Sequence, residues 1–161
     1  MKKIFKELLP YIIILLVVVL IRSFIATPVR VDGNSMNNNL LDGEILILNK
    51  LASINRYDVV VVKLQNDDDV IIKRVYGMPG EKIEINHSDI YINGKKIKDK
   101  YALGKTQDYA EITLGDDEYF VLGDNREISK DSRIIGPINK KDIKGQTVLR
   151  LFPIKKIGLI N

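Results

Sequence analysis

The chain has 161 residues, 45% of them hydrophobic and 29% charged, which supports a packed domain and excludes global disorder. The net charge of +4 is mild, and the lysines form no basic stripe of the kind that binds nucleic acid. Because the chain has no cysteine, disulfides, zinc thiolates and a cysteine nucleophile are also excluded. A Ser-His-Asp triad would depend on His87 alone, the single histidine.

Residues 1–27 are predicted to form a cytoplasmic N-terminus and a transmembrane anchor. The stretch Leu8–Ala26 is apolar apart from Arg22 and Ser23, and its roughly 19 residues are just enough to cross a bilayer. Three lysines precede it, at positions 2, 3 and 6, so the N-terminus is expected in the cytoplasm and the rest outside. The alternative is a cleavable signal peptide, which is disfavoured because Phe24 occupies one of the small positions of a cleavage site.

Residues 28–161 are predicted to form a mostly β, antiparallel domain. Asp58–Leu64 and Val70–Tyr76 are the strongest candidates for buried strands, because both are rich in β-branched residues. A small excursion is expected around residues 81–117, which are polar and weakly patterned from residue 95 onwards. The other predicted strands are Val29–Val31, Glu44–Leu48, Lys82–Ile85, Ile90–Ile92, Glu118–Leu122 and Thr147–Phe152.

Two short segments suggest peptidase chemistry. Ser35 lies on an apparent turn after Gly33, and Lys73 lies inside the apolar strand Val70–Tyr76. Alternate side chains of a strand face opposite sides, so one of Lys73 and Arg74 can face inward while the other is solvated. A buried lysine amine with a pKa lowered from about 10.4 can take the proton of a serine. The alternatives are a lysine with only its stem buried and an ordinary turn serine.

In order and spacing, four sequence boxes resemble those of the type I bacterial signal peptidases, which are membrane-anchored Ser/Lys proteases that remove signal peptides from exported proteins. The first two boxes are Ser35-Met36 with Leu40, and Arg56 with Asp58–Val61. The last two are Lys73–Gly80, and Gly123–Arg133 followed by Gly136. The single anchor and the compact size look like the Gram-positive form of that family, so the domain is expected to have the signal-peptidase/LexA-like β fold.

The resemblance implies a role for each matched position. Ser35 would be the acylating nucleophile, Lys73 its general base, and Ser129 the residue that hydrogen-bonds and orients the lysine amine. The backbone N–H of Ser35 would serve the oxyanion hole, since Gly33 cannot supply a side-chain hydroxyl. Four charged residues would brace the site: Arg74, Asp124, Asp131 and Arg133.

The resemblance also implies the substrate and the location. The signal peptide would add as a strand beside Val29–Gly33 and Val70–Lys73 and be cut after small residues. Pockets for those small residues would be lined by Val31, Met36, Leu40 and Ile72. The enzyme would be a single-pass monomer of the cell membrane with its catalytic domain outside, and would need no cofactor or metal.

The chain departs from the family pattern behind the nucleophile. The family usually has Ser-Met-x-Pro-Thr-Leu, whereas this chain has Asn37-Asn38-Asn39 between Met36 and Leu40. Without proline the turn is less constrained, and placement of Ser35 could loosen. This motivates an alternative, a catalytically weak or non-enzymatic homologue that binds exported subunits such as pilins as an assembly factor.

Two further alternatives carry less support. A self-cleaving repressor of the LexA type also uses a Ser-Lys dyad, but it carries a DNA-binding module and no membrane anchor. His87 lies in a polar hairpin loop outside every box, so it is expected to be a solvated loop residue.

Overall fold

The structure is a computed structural model, which describes residues 2–37, 39–64 and 70–160. Its helices are α1 (Lys2–Leu20) and α2 (Ser132–Ile135), with a π-helical turn at Ile21–Ile25 and 3₁₀ turns at Lys140–Asp142 and Ile154–Lys156. The first six strands are β1 (Ala26–Arg30), β2 (Ile45–Asn49), β3 (Val59–Lys63), β4 (Val70–Gly77), β5 (Lys82–Asn86) and β6 (Asp89–Ile92). The others are β7 (Lys95–Lys96), β8 (Tyr109–Thr113), β9 (Glu118–Leu122), β10 (Ile138–Asn139), β11 (Ile143–Phe152) and β12 (Gly158–Leu159).

Most of the strands form one antiparallel sheet of eight strands, in the order β1-β2-β11-β3-β4-β9-β10, with β12 paired to β11. The long strand β11 lies between β2 and β3 and so joins the N-terminal hairpin to the middle of the sheet. The prediction of a mostly β, antiparallel domain is therefore confirmed.

The excursion forms a second, four-stranded sheet in the order β7-β6-β5-β8. Its two tight turns have positive φ at both central residues, at His87-Ser88 and at Asn93-Gly94, as type I′ hairpins require. Strands β7 and β8 were not predicted, because their residues are largely exposed and show no alternation of apolar side chains.

The packing around β3 explains why its sequence is an uninterrupted run of apolar residues. Its four valines are all buried, which is typical of a strand covered on both faces. Val59 and Val61 pack in one cluster with Met36 and Leu40, whereas Val60 and Val62 belong to a second cluster with β9. A third cluster joins the two sheets through Tyr76, Ile83, Ile85, Ile90, Phe120 and Leu122. Strands β3 and β4 therefore lie where these packing layers meet.

Helix α1 precedes the sheet, and the π-helical turn leads from it directly into β1. All of the side chains of Leu8–Leu20 are exposed. Among the helices in the described part of the chain, none combines the length and the apolar content that crossing a membrane requires. The side chains of the lysines at positions 2, 3 and 6 lie outside the described residues. The predicted N-terminal membrane span therefore stays a prediction.

Candidate active site

The Ser35 loop connects β1 to β2 and is held by its own turns. Gly33 has a φ of +82°, a conformation that favours glycine, and its N–H donates to Asp42 Oδ1 at 2.9 Å. Behind Ser35, the N–H of Leu40 donates to the carbonyl of Met36 at 2.9 Å, and both of these side chains are buried. The loop therefore presents a half-buried Ser35 hydroxyl from a backbone that is anchored in the core.

The structure brings Lys73 to this hydroxyl. Lys73 lies in β4 with only 3% of its surface exposed, and its Nζ donates to Ser35 Oγ at 2.7 Å and to the carbonyl of Ile72 at 3.0 Å. Burial lowers the pKa of the Lys73 amine from 10.5 to about 8, although the nearby carboxylates of Asp131 and Asp124 act in the opposite direction. A lysine with this pKa is partly neutral near pH 7 and can accept a proton.

Arg74 is also buried, so the expectation that one of Lys73 and Arg74 is solvated was wrong. Arg74 donates to both carboxylate oxygens of Asp124, at 2.9 and 2.8 Å, and both residues are fully buried. Its third nitrogen donates to the carbonyl of Tyr57 at 2.9 Å. Burial of an arginine is tolerated here because a bidentate carboxylate and a carbonyl take up its donors.

The segment Gly123–Arg133 supplies the other predicted charged residues. Asp131 is fully buried and accepts from the N–H of Gly123 and from Arg133 Nε, at 2.9 and 2.8 Å. Asp131 also caps the N-terminus of α2. The four charged residues thus lie as two pairs, Arg74 with Asp124 and Arg133 with Asp131, beside the Ser35 loop.

Ser129 lies close to this loop but does not bond to Lys73. Its Oγ is buried and has no hydrogen-bond partner among the described residues. The hydrogen bond from Ser129 to the lysine amine, expected from the resemblance, is thus not formed in this arrangement, in which the amine bonds to Ser35 and Ile72. The orienting role of Ser129 stays a prediction.

A cleft of about 130 Å³ opens beside Ser35 and Lys73. Of the predicted pocket residues, Val31, Met36 and Ile72 line it. Leu40 does not: it is fully buried in the cluster behind the loop, because its side chain completes the packing of Met36 and Leu46. Leu40 therefore supports the Ser35 loop from the core side and is not part of the cleft wall.

Several contacts at the site were not predicted from the sequence. Asn39 Nδ2 donates to Asp124 Oδ2 at 2.8 Å, and the Tyr101 ring lies 3.6 Å from the Arg74 guanidinium carbon. Arg126, also buried, donates to Tyr76 Oη and pairs with Asp99. The position of Arg126 in the Gly123–Arg133 box could have indicated that it lies near the site. The residues of the excursion belong to no box, so nothing local in the sequence indicates their contacts.

The structure gives no role at this site to His87 or to a metal-binding group among the described residues. His87 is exposed at its hairpin turn, in the second sheet. In the part of the chain that the structure describes, no group of three or more histidine, cysteine, aspartate or glutamate side chains is arranged to hold a metal ion. The two groups suited to peptidase chemistry that meet at the site are the Ser35 hydroxyl and the Lys73 amine.

Comparison with known proteins places these features in a family. The family described as "Signal peptidase, peptidase S26" matches residues 4–152. Signal peptidase I P of Bacillus subtilis subsp. natto is 36% identical over 91% of this chain and 88% of its own. Signal peptidase I of Streptococcus pneumoniae serotype 4 is 31% identical over 98% of this chain and 97% of its own. A signal peptidase I crystal structure from Enterococcus faecalis V583 is 29% identical with a TM-score of 0.54, covering 59% of this chain and 97% of that one.

Proposed function

The chain belongs to the signal peptidase family, peptidase S26, and we propose that it removes signal peptides from exported preproteins with Ser35 as nucleophile and Lys73 as general base. Relatives that are 31% to 36% identical over most of the chain are signal peptidase I enzymes, and this chain is a serine peptidase of the same class. The single observation that carries the assignment of roles is the 2.7 Å hydrogen bond between Lys73 Nζ and Ser35 Oγ.

The reaction follows from this contact. The neutral amine of Lys73 takes the hydroxyl proton while Ser35 Oγ attacks the scissile carbonyl, and the resulting ammonium gives that proton to the leaving amine. Water then hydrolyses the acyl-enzyme with Lys73 again acting as base. Burial of Lys73 supports this role, because its pKa of about 8 leaves roughly a tenth of the amine neutral at pH 7. The N–H of Ser35 is proposed to stabilise the oxyanion, since Gly33 has no hydroxyl and uses its own N–H on Asp42.

Two free strand edges beside the site support binding of an extended peptide. Strand β9 pairs with Arg74–Gly77 of β4, so that among the described residues Val70–Lys73 has no strand partner on that side. Strand β1 pairs only with β2 within the described part of the chain, and the cleft lies between Val29–Asp32 and Val70–Lys73. A signal peptide that adds as a strand there would place its carbonyl at Ser35. The cleft of about 130 Å³ has room for side chains of the peptide, and we propose that those next to the cleaved bond are small, such as alanine.

Ser129 is proposed to support Lys73. Its buried Oγ has no partner among the described residues, and a buried hydroxyl without a partner is unfavourable. A bond to the lysine amine would satisfy it and would hold the amine towards Ser35 when Lys73 turns away from the carbonyl of Ile72.

The N-terminal helix is proposed to anchor the enzyme in the cell membrane, with the β domain on the outer side. The exposed apolar side chains of Leu8–Leu20 and the preceding lysines support this orientation. The signal peptide carries an apolar segment that enters the same bilayer. Holding both in one membrane raises the effective concentration of substrate at the site without additional contacts.

The test is cleavage of a preprotein by the membrane-inserted enzyme and by its Ser35→Ala and Lys73→Ala variants. Both variants are expected to lose cleavage, because each removes one partner of the proton transfer. Ser53→Ala and Lys144→Ala are matched controls at positions away from the site and are expected to keep it. Unchanged processing by Ser35→Ala or Lys73→Ala would contradict the proposal, as would wild-type protein that binds a preprotein without ever cleaving it.

A further inference from the structure

Asn39 connects the nucleophile loop to the strand that carries the base. Its side-chain Nδ2 donates to Asp124 Oδ2 at 2.8 Å, and the same carboxylate holds the guanidinium of Arg74 on both oxygens. Arg74 directly follows Lys73 in β4, and Asn39 lies four residues after Ser35. The Ser35 loop and β4 are therefore joined in two ways. One is the hydrogen bond between Lys73 and Ser35, and the other is Asp124, which bonds to both Asn39 and Arg74.

The backbone of Asn39 is held from the other side. Arg150 Nη2, in β11, donates to the carbonyl of Asn39 at 2.7 Å. Arg150 Nε is itself 2.9 Å from Glu44 Oε2, and Glu44 is only 2% exposed. Two charged groups thus contact this one residue, the buried Asp124 from the segment after β9 and the partly buried Arg150 from β11.

We propose that Asn39 is a positioning residue of the peptidase, which fixes the Ser35 loop against Asp124 so that Ser35 Oγ stays within reach of Lys73 Nζ. The inference rests on the proposed function. It explains how a turn without proline can hold the nucleophile: a side-chain hydrogen bond to a buried ion pair replaces the stiffness of the ring. The reacting atoms themselves do not touch Asn39, so its effect acts through the position of Ser35.

A pair of variants of equal shape isolates the hydrogen bond. Asn39→Thr retains a hydroxyl donor towards Asp124, whereas Asn39→Val has the same branching without it. We expect Asn39→Val to lower kcat by on the order of ten- to a hundredfold with KM unchanged, since the strand edges that bind peptide are intact. Asn39→Thr is expected to recover most of kcat. Asn86→Val, at an exposed position of β5, is the matched control and is expected to equal the wild type.

A pH profile tests whether the side chain at position 39 lies close enough to Lys73 to influence its amine. The charged groups near Lys73 are Asp124 and Asp131, which raise its pKa, and their partners Arg74 and Arg133. Asn39→Asp places another carboxylate beside Asp124, so the acid limb of kcat is expected to move to higher pH. An acid limb that stays in place would show that the side chain at position 39 does not influence the amine, whereas the comparison of Val with Thr at this position tests the hydrogen bond itself.

The outcomes are distinct. If wild-type enzyme cleaves a preprotein through Ser35 but Asn39→Val matches it in kcat, the inference is overturned and the proposed function stands. Equal losses in the Thr and Val variants, each in proportion to its loss of melting temperature, would also overturn it. If the wild type and Ser35→Ala behave alike, both the inference and the proposed function fail.

Discussion

The backbone N–H of Asn125 donates a 2.9 Å hydrogen bond to the backbone carbonyl of Ser35. Through this bond the loop that carries the hydroxyl is tied to the segment after β9, where Asp124 pairs with Arg74 and the N–H of Gly123 donates to Asp131. The contact is possible because Gly123 has no side chain: a Cβ there would lie 2.7 Å from the Ser35 carbonyl oxygen and 2.5 Å from Ser129 Cβ. The position of Ser35 thus depends on a glycine 88 residues away in sequence.

Gly123→Ala is expected to reduce cleavage by on the order of a hundredfold and stability by about 1–3 kcal/mol, because the added methyl must displace the Ser35 loop or Ser129. Gly158→Ala is the control, since a Cβ there meets nothing within 4 Å. Rates of preprotein cleavage and melting temperatures of both variants provide the check. An active Gly123→Ala enzyme would show that the close packing at this point is not needed.

Lys73 is expected to weaken folding at neutral pH. Its pKa of about 8 in the folded chain lies below the ordinary 10.5, so the unfolded chain binds the proton more tightly. This penalty, at most ~3 kcal/mol, is fully present below pH 8 and disappears as the pH rises towards 10.5. Lys73→Met is therefore expected to be more stable than wild type at pH 6, with a smaller difference at pH 10.

Chemical unfolding of the wild type and Lys73→Met at the two pH values measures this difference. Lys144→Met, which removes an exposed lysine of β11, controls for the change in net charge. A difference in unfolding free energy that is the same at pH 6 and pH 10 would mean that the Lys73 amine is not desolvated in the folded state.

The Tyr101 ring is expected to stabilise the buried Arg74–Asp124 pair by covering the guanidinium at 3.6 Å. Tyr101→Leu should lower the free energy of unfolding by about 1–2 kcal/mol, because it removes a cation–π contact in a buried place. Tyr101→Phe retains the ring and should stay near the wild type in urea unfolding. If Tyr101→Leu and Tyr101→Phe have the same free energy of unfolding, the residue stabilises the fold by packing alone and the cation–π contact adds nothing.

The sequence predicted those parts of the molecule that local patterns encode. The family resemblance drawn from the four boxes is confirmed by the family match, and the antiparallel β fold is confirmed by the sheet. The valines of β3 predicted a strand correctly because burial on both faces leaves a continuous apolar run. Strand β9 was predicted with its bounds, since turn residues flank it on both sides.

The parts that were missed depend on contacts between distant residues. Asn39 appeared only as a departure from the family pattern, since its partner Asp124 is 85 residues away and no local signal joins them. Tyr101 lies in the polar excursion, where nothing in the sequence indicates that its ring covers Arg74. The joint burial of Lys73 and Arg74 could not be read from strand alternation, because Arg74 is paired with Asp124, which lies 50 residues away in the segment after β9.

The central claim is that Ser35 is acylated with Lys73 as the base. The most direct measurement is the rate at which a peptide ester acylates the enzyme as a function of pH, with the acylated residue of the enzyme identified by mass spectrometry. The account predicts an acyl group on Ser35 and a rate that rises about tenfold per pH unit until it levels off near pH 8. Lys73→Arg, which stays charged throughout, should remain unacylated. An acyl group on another residue, or a rate on Ser35 that does not change between pH 6 and pH 9, would contradict the account.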